Sequence, residues 1–207
     1  MKKGVIFDLD GTLLSVNSFE KFILYSIHES IRSFNIMLLL KILFYITTRK
    51  LRLTTHEYMK YKILKCLQRF MTSQRLSAFS SGLIQCTNAI VLSLLHQYQS
   101  DGYFTCLATA APQCYAEVIA KELNFDICHA TPQPETKNWK ELSKTVKSAT
   151  ISHYFQDKQI IPEILVTDHY DDIPLMKIAS KIILVSPSKQ TINKISHSGL
   201  NSKLKII

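Results

Sequence analysis

The chain opens with a short apolar run that ends in carboxylates. Residues 4–7 are apolar or glycine, Asp8 and Asp10 follow, and Gly11 with Thr12 favours a turn. A short apolar run bounded by turn residues is typical of a buried strand. The pattern therefore predicts a buried strand over residues 3–8 that opens the domain.

A long helical segment follows this strand. Between Phe19 and about Tyr98 there is no proline and one glycine, Gly82, and apolar residues recur every three or four positions from Leu83 onward. This spacing places apolar side chains on one face of a helix. The pattern predicts an all-helical domain at 16–99 inserted into a core domain made of residues 1–15 and 100–207.

Short strands alternate with helices after Asp101 and Gly102. Such alternation predicts an α/β fold, with a parallel sheet covered by helices on both faces. The tail after Ser186 carries only weak signals. The predicted strands are 103–108, 125–130, 164–166 and 182–185, and the predicted helices are 113–123, 143–155 and 174–180.

Composition and charge narrow the class of protein. The 207 residues are 46% hydrophobic, which suits a folded core, and carry a net charge of +9. The basic residues form no stripe with interleaved aromatic side chains, so no nucleic-acid partner is expected. The five cysteines are scattered, as in a reduced, cytoplasmic protein. Asp8 and Asp10 interrupt the first apolar run, so no signal peptide is expected.

The longest strongly apolar stretch lies in the helical segment. It runs over residues 33–46 and contains Lys41. A membrane-spanning helix needs about 20 apolar residues, so this stretch is too short to cross a bilayer. We expect the apolar face of residues 34–45 to pack into the core. The nearby basic residues leave open a peripheral contact with an anionic membrane; they are Arg32, Lys41, Arg49, Lys50 and Arg52.

Polar side chains follow three of the predicted strands. Asp8 ends the first strand, Thr109 follows the second, and Asp168 follows the strand at 164–166. In open parallel sheets, functional groups lie just beyond the carboxyl ends of the strands. Clustered carboxylates repel one another unless a cation lies among them, and hard oxygen ligands suit Mg²⁺. The sequence therefore predicts a magnesium site at this edge.

The first of these strand ends resembles a known motif. Residues 7–13, Phe-Asp-Leu-Asp-Gly-Thr-Leu, are similar to the first motif of the haloacid dehalogenase superfamily of phosphohydrolases. The resemblance implies a Rossmann-like core. It also implies that Asp8 is the nucleophile that forms an aspartyl-phosphate and that Asp10 is the general acid and base. Mg²⁺ would be held by Asp8, Asp168 and the main-chain carbonyl of Asp10.

Two downstream segments extend the resemblance. Residues 107–112 are similar to the second motif, which implies that Thr109 binds a phosphate oxygen. Residues 166–176 are similar to the fourth motif, which implies that Asp168 binds the metal and that Asp172 supports it.

The resemblance is looser at two points. Thr167 and His169 stand where the fourth motif usually has a glycine and a small residue, which bears on the geometry of this loop. The third motif is a lysine whose ammonium balances the carboxylates and the phosphoryl charge. Its spacing from the metal-binding acid fits Lys144 best among four lysines, namely Lys137, Lys140, Lys144 and Lys147.

The position of the helical segment resembles one subfamily in particular. An insert between the first and second motifs is similar to the cap of the subfamily IB enzymes, which include phosphoserine phosphatases and phosphatidylglycerophosphatase C. The resemblance implies a Mg²⁺-dependent phosphatase that hydrolyses a small phosphomonoester. Two alternatives stay open, a lipid-phosphate phosphatase at the membrane surface and a catalytically silent binding protein.

Overall fold

A computed structural model describes residues 2–135 and 139–207. Within them, six strands form one parallel sheet in the order β3-β2-β1-β4-β5-β6, which confirms the predicted α/β class. The first strand of the chain thus lies at the centre, beside β2 and β4. The strands are β1 Lys2–Phe7, β2 Phe104–Pro112, β3 Ile127–Thr131, β4 Ile160–Thr167, β5 Lys181–Leu184 and β6 Leu204–Ile206.

The central strand is buried on both faces. Val5 and Phe7 belong to the apolar cluster on one face of the sheet, and Ile6 belongs to the cluster on the other face. Consecutive residues of a strand point to opposite faces, so a continuous apolar run is what a strand covered on both sides requires. The helices supply that cover.

Nine α-helices accompany the sheet in the residues that the structure describes. Five lie between β1 and β2, as the helical pattern predicted, and the other four follow β2. The first five are α1 Ser18–Arg32, α2 Ile36–Lys50, α3 His56–Leu67, α4 Ser73–Ile84 and α5 Ala89–Ser100. The others are α6 Gln113–Glu122, α7 Lys144–Asp157, α8 Ile173–Met176 and α9 Lys189–Ser196.

Each of the five inserted helices begins at a capping side chain. In every case an asparagine or threonine accepts a hydrogen bond from a backbone N–H two or three residues later, which satisfies a donor that the helix itself leaves free. These polar residues therefore set the points at which the inserted segment turns. The caps are Asn17, Asn35, Thr55, Thr72 and Asn88.

The inserted helices share their core with the sheet. The rings of Phe22 in α1, Phe79 in α4 and Tyr115 in α6 meet with centroids 5.1–5.2 Å apart. All three belong to the same buried cluster as Val5 and Phe7 of β1. The helical segment is thereby anchored over one face of the sheet, on the side that leads to the carboxyl end of β1.

Helix α2 buries less of its apolar surface in the core than the sequence predicted. Only Leu38 and Ile42 of its fifteen residues are buried, and most of its other apolar side chains are exposed. The interpretation of residues 34–45 as a core-packing face is therefore wrong for most of them. No helix among residues 2–135 and 139–207 has both the length and the apolar character needed to cross a membrane.

Strand β6 was not predicted from the tail. It has only three residues, and it pairs with β5 at the edge of the sheet, with Ile182 opposite Leu204. A strand this short carries no periodic signal because its place is set by the neighbouring strand. Strand β2 also runs further than predicted, through Pro112.

Gly4 lies where the central strand has no room for a larger side chain, and this gives a test of the packing. A Cβ there would lie 2.5 Å from Phe155 Cε1 and 2.8 Å from Ile160 Cγ2. We expect Gly4→Ala to lower the free energy of unfolding by about 1–3 kcal/mol through overpacking. Gly82→Ala in α4 is the matched control, because a Cβ there meets nothing within 4 Å.

The control should raise the free energy of unfolding by about 0.5–1 kcal/mol, since alanine is the better helix former. Urea denaturation followed by circular dichroism measures both variants. Equal stability of the Gly4 variant and the unsubstituted chain would contradict the packing described for β1.

Candidate functional site

The carboxyl ends of β1 and β4 bring two carboxylates together. Asp8 follows β1 directly, and its N–H donates a hydrogen bond of 2.9 Å to the carbonyl of Val166 in β4. Asp168 comes directly after Thr167, the last residue of β4. Adjacent parallel strands thus place both aspartates at one edge of the sheet, as the sequence predicted.

A buried ammonium lies among these carboxylates. Lys147 Nζ is 2.8 Å from Asp8 Oδ1 and 2.9 Å from Asp172 Oδ1, and its side chain is 3% exposed. The same Asp172 accepts a 2.7 Å hydrogen bond from the hydroxyl of Thr167. Lys147 therefore ties the end of β1 to the loop after β4.

The structure places Lys147, and not the predicted Lys144, beside Asp8. Lys144 is the first residue of α7, its side chain is 63% exposed, and its Nζ lies 3.8 Å from the half-buried Asp171. Lys147 lies three residues further on, at the helical position that is turned towards the sheet edge. Lys140 is exposed, and Lys137 lies outside the described residues.

Glycine is required in the turn that follows the two aspartates of the first motif. Gly11 has φ +74°, and a Cβ on it would lie 2.4 Å from Asp168 Oδ2. The hydroxyl of Thr12 donates to Asp168 Oδ1 at 3.3 Å. The turn after β1 therefore packs its backbone directly against the Asp168 carboxylate, and only glycine leaves the room.

Asp10 is held by the start of α1. Its Oδ1 accepts a 2.9 Å hydrogen bond from the N–H of Ser18, the first residue of that helix. The hydroxyl of Ser18 is in turn 3.0 Å from the hydroxyl of Tyr115 in α6. The positive end of the α1 dipole thus faces the Asp10 carboxylate. Sequence reasoning missed Ser18 and Tyr115, because nothing in their spacing connects them to the motif.

Thr109 lies within β2, close to its carboxyl end. It is buried, and its hydroxyl oxygen accepts a 3.0 Å hydrogen bond from the N–H of Ala111. The structure therefore places it at the same edge of the sheet as the ends of β1 and β4, in the strand that pairs with β1.

A lysine from the inserted segment also reaches this edge. Lys60 of α3 donates from Nζ to the carbonyl of Ala110 at 2.8 Å and pairs with the carboxylate of Glu141. It is 3% exposed. This contact was not predicted, since a single lysine in a basic helix carries no signal of burial. It joins the helical segment to the strand end that carries Thr109.

Burial shifts the protonation of these groups. Burial raises the pKa of Asp8 to about 7, a rise that the ammonium of Lys147 limits and that Asp172 adds to. Burial also raises the pKa of Asp10 and of Asp168 above their ordinary values. For Lys147, burial alone would lower the pKa, but Asp172 and Asp8 together raise it. The carboxylates therefore hold Lys147 in its charged form. Asp8 and Asp172 still repel each other.

The donor set fits a magnesium ion. Across residues 2–135 and 139–207, His, Cys, Asp and Glu side chains form no group of three or more suited to a metal. Mg²⁺ does not need such a group, since it keeps several waters and takes one or two protein carboxylates. Asp8 and Asp168 provide two carboxylates at adjacent strand ends, and Asp168 and Asp172 both raise the pKa of Asp8 by repulsion. A cation there would relieve that repulsion.

Comparison with known proteins agrees with this fold. A family model described as haloacid dehalogenase-like hydrolase matches residues 5–177. The chain therefore belongs to the haloacid dehalogenase-like hydrolase family. This confirms the resemblance drawn from the sequence motifs and the expectation of a hydrolase. A search of curated proteins found no match.

Solved structures share the fold at low sequence identity. A protein of unknown function from Bordetella pertussis Tohama I has a TM-score of 0.73 and 16% identity, and the match covers 100% of this chain and 98% of that one. A phosphoserine phosphatase holding a phospho-aspartyl intermediate analogue has a TM-score of 0.59 and 15% identity, with 99% and 92% covered. A phosphoserine phosphohydrolase-like protein from Francisella tularensis subsp. tularensis SCHU S4 has a TM-score of 0.53 and 18% identity, with 98% and 94% covered.

Two lysines of α7 give a direct test of the charge balance. We expect Lys147→Met to lower the free energy of unfolding at neutral pH by about 3–5 kcal/mol, because Asp8 and Asp172 lose their buried partner. Lys144→Met, on the same helix but exposed, should change it by no more than about 0.5 kcal/mol. Urea denaturation measures the free energy of unfolding of both variants. Similarly small decreases in both would show that the buried ion pairs of Lys147 do not form.

Proposed function

We propose that the protein is a Mg²⁺-dependent phosphatase that hydrolyses a small phosphomonoester through an aspartyl-phosphate. The observation that carries this proposal is the position of Lys147, whose ammonium is 2.8 Å from Asp8 at the end of β1. A carboxylate held beside a fixed positive charge, at the carboxyl edge of a parallel sheet, is suited to attack a dianionic phosphoryl group. Family membership supports a hydrolase.

Asp8 is the nucleophile in this proposal. Its carboxylate oxygen attacks phosphorus, a bond forms between Asp8 and the phosphoryl group, and the bond to the leaving oxygen breaks. Lys147 and the hydroxyl of Thr109 bind the phosphoryl oxygens during the transfer. Thr109 is in the strand paired with β1, and its hydroxyl oxygen, which accepts from the N–H of Ala111, still has its hydrogen free to donate to an oxygen of the substrate.

Asp10 is the general acid and base. As the acid it gives a proton to the leaving oxygen, and as the base it takes a proton from the water that hydrolyses the aspartyl-phosphate. Two features support this role. Burial raises the pKa of Asp10 above its ordinary value, which is the direction that a general acid needs. The N–H of Ser18 holds one carboxylate oxygen in place and leaves the other for proton transfer.

Asp8, Asp168 and the main-chain carbonyl of Asp10 would hold the Mg²⁺. When bound, the ion supplies positive charge against the phosphoryl oxygens and the clustered carboxylates. Asp172 supports the site indirectly, since it orients Lys147 and accepts from Thr167. Thr167 thus has its own role at the position where the motif usually has glycine.

Residues 16–99 act as a cap in this proposal, over a core of residues 1–15 and 100–207. The contact of Lys60 with Ala110 and Glu141 supports it, because it joins α3 to the strand end that carries Thr109. A closed cap excludes water from the reacting groups.

The five free cysteines support a reducing, cytoplasmic setting. A lipid phosphate is the second candidate substrate, favoured by the exposed apolar residues of α2.

Loss of the nucleophile is the first test of the reaction. We expect Asp8→Asn to reduce Mg²⁺-dependent hydrolysis of 4-nitrophenyl phosphate by at least about 10⁴-fold, the scale of losing a catalytic nucleophile. Asp157→Asn, which removes an exposed carboxylate at the end of α7, should keep full activity. Release of nitrophenolate measures both. Hydrolysis by the Asp8 variant close to that of the unsubstituted enzyme would rule out the assignment.

Asp10 predicts a different kinetic signature. Nitrophenolate leaves readily without a proton, so Asp10→Asn should still transfer the phosphoryl group and then fail to activate water. We expect steady-state turnover to fall by about 10²–10⁴-fold. Rapid-mixing experiments should show a burst of nitrophenolate equal to the enzyme concentration. A burst-free variant with unchanged turnover would contradict the role of Asp10.

A further inference from the structure

Helix α2 presents an uncovered apolar surface to solvent. Its outward side chains follow the helical spacing i, i+1, i+4, i+7 and i+8, and each is between 42% and 66% exposed. Monomeric proteins rarely expose a contiguous apolar patch of this kind without a partner for it. We call this surface the α2 face, and it consists of Ile36, Met37, Leu40, Leu43 and Phe44.

The turns at both ends of the helix extend this surface. Phe34, before α2, is 87% exposed, and Leu51 and Leu53, after it, are 65% and 71% exposed. Large apolar side chains are thus exposed continuously from one turn to the other. Covering these side chains removes apolar surface from water, so a partner that covers them gains favourable free energy.

The segment that carries the α2 face has charges of one sign. Residues 30–56 contain five lysines and arginines and no aspartate or glutamate, in a chain of net charge +9. At about 100° per residue, Lys41 lies about 100° from Leu40 around the helix axis, and Lys50 lies about 80° away in the other direction. The two ammonium groups therefore border the apolar face on both sides, where their long stems can lie along it.

We propose that the α2 face docks on an anionic phospholipid surface, with the helix lying in the plane of the interface. The apolar side chains would enter the headgroup and acyl boundary, and Lys41 and Lys50 would meet lipid phosphates at its margins. The helix has fifteen residues, so it is about 22 Å long, shorter than the roughly 30 Å of a bilayer core. An in-plane position is therefore the one its length allows.

A second copy of the chain is a poorer occupant. In a symmetric dimer the same face would meet itself, so the lysines and arginines of residues 30–56 would approach their own equivalents without an acidic residue among them. Like charges brought together in this way destabilise an interface.

A protein partner is also less suited to this surface. Specific protein interfaces have a polar rim that makes directional hydrogen bonds. On the outward side of α2, the polar uncharged side chain is that of Thr47. A convex apolar ridge bordered by cations suits a fluid, negatively charged surface better. Docking in this way is independent of the proposed phosphatase activity, and it is measured without substrate.

Vesicle flotation of the full chain tests the proposal. The probes are vesicles of phosphatidylcholine alone and vesicles of about three parts phosphatidylcholine to one part phosphatidylglycerol. We expect flotation with the second kind only, weakened as salt is raised. Leu40→Ser with Phe44→Ser, and separately Lys41→Glu with Lys50→Glu, should each reduce the bound fraction at least about tenfold, with hydrolysis of 4-nitrophenyl phosphate unchanged.

Matched variants outside the face provide the controls. Ile90→Ser removes an apolar side chain of α5 that is 62% exposed, and Lys158→Glu with Lys189→Glu reverses two exposed lysines. Both should float like the unsubstituted chain. Equal flotation with neutral vesicles, no flotation at all, or equal loss in the controls would overturn the proposal. A dimer in sedimentation equilibrium that Phe44→Ser dissociates would also overturn it, in favour of self-association.

Discussion

The ammonium of Lys147 between Asp8 and Asp172 is the interaction on which the candidate site depends. Three aspartates follow the central strands within a buried edge, and burial raises the pKa of Asp8, Asp10 and Asp168. Without a fixed cation these groups would protonate or push the strand ends apart. Lys147 opposes the rise in the pKa of Asp8, and its own pKa is raised by the carboxylates that it balances.

The fold supplies this arrangement from several directions. The central position of β1 brings Asp8 beside the end of β4, and α7 carries Lys147 across to both. The inserted helices contribute at two further points, where the N-terminus of α1 holds Asp10 and where α3 sends Lys60 to the end of β2. A segment that shares its core with the sheet and also touches the candidate site is suited to couple substrate entry to the chemistry proposed for Asp8. Helix α2, on the outside of that segment, is free to meet another surface.

The fold class and the positions of most candidate site residues at strand ends could be predicted from local sequence. Asp8, Asp10, Thr109, Asp168 and Asp172 each lie within a few residues of a recognisable strand end. The identity of the buried lysine could not be predicted in this way. Lys144 and Lys147 lie on one polar helix, and only the rotation of α7 about its axis decides which of them is buried. Ser18, Tyr115 and Lys60 meet the site through long-range packing, which no local spacing encodes. The exposure of α2 was missed for the same reason, since an apolar periodicity does not show whether a neighbour covers it.

Detection of a covalent phosphoryl group on Asp8 is the most direct test of the mechanism. Borohydride reduces an acyl-phosphate to the alcohol, so an aspartyl-phosphate trapped during turnover would be found by peptide mass spectrometry as homoserine. We expect this conversion at Asp8, only with substrate and Mg²⁺, and more of it in the Asp10→Asn variant. An active enzyme that shows no conversion at Asp8, or conversion at another residue, would contradict it.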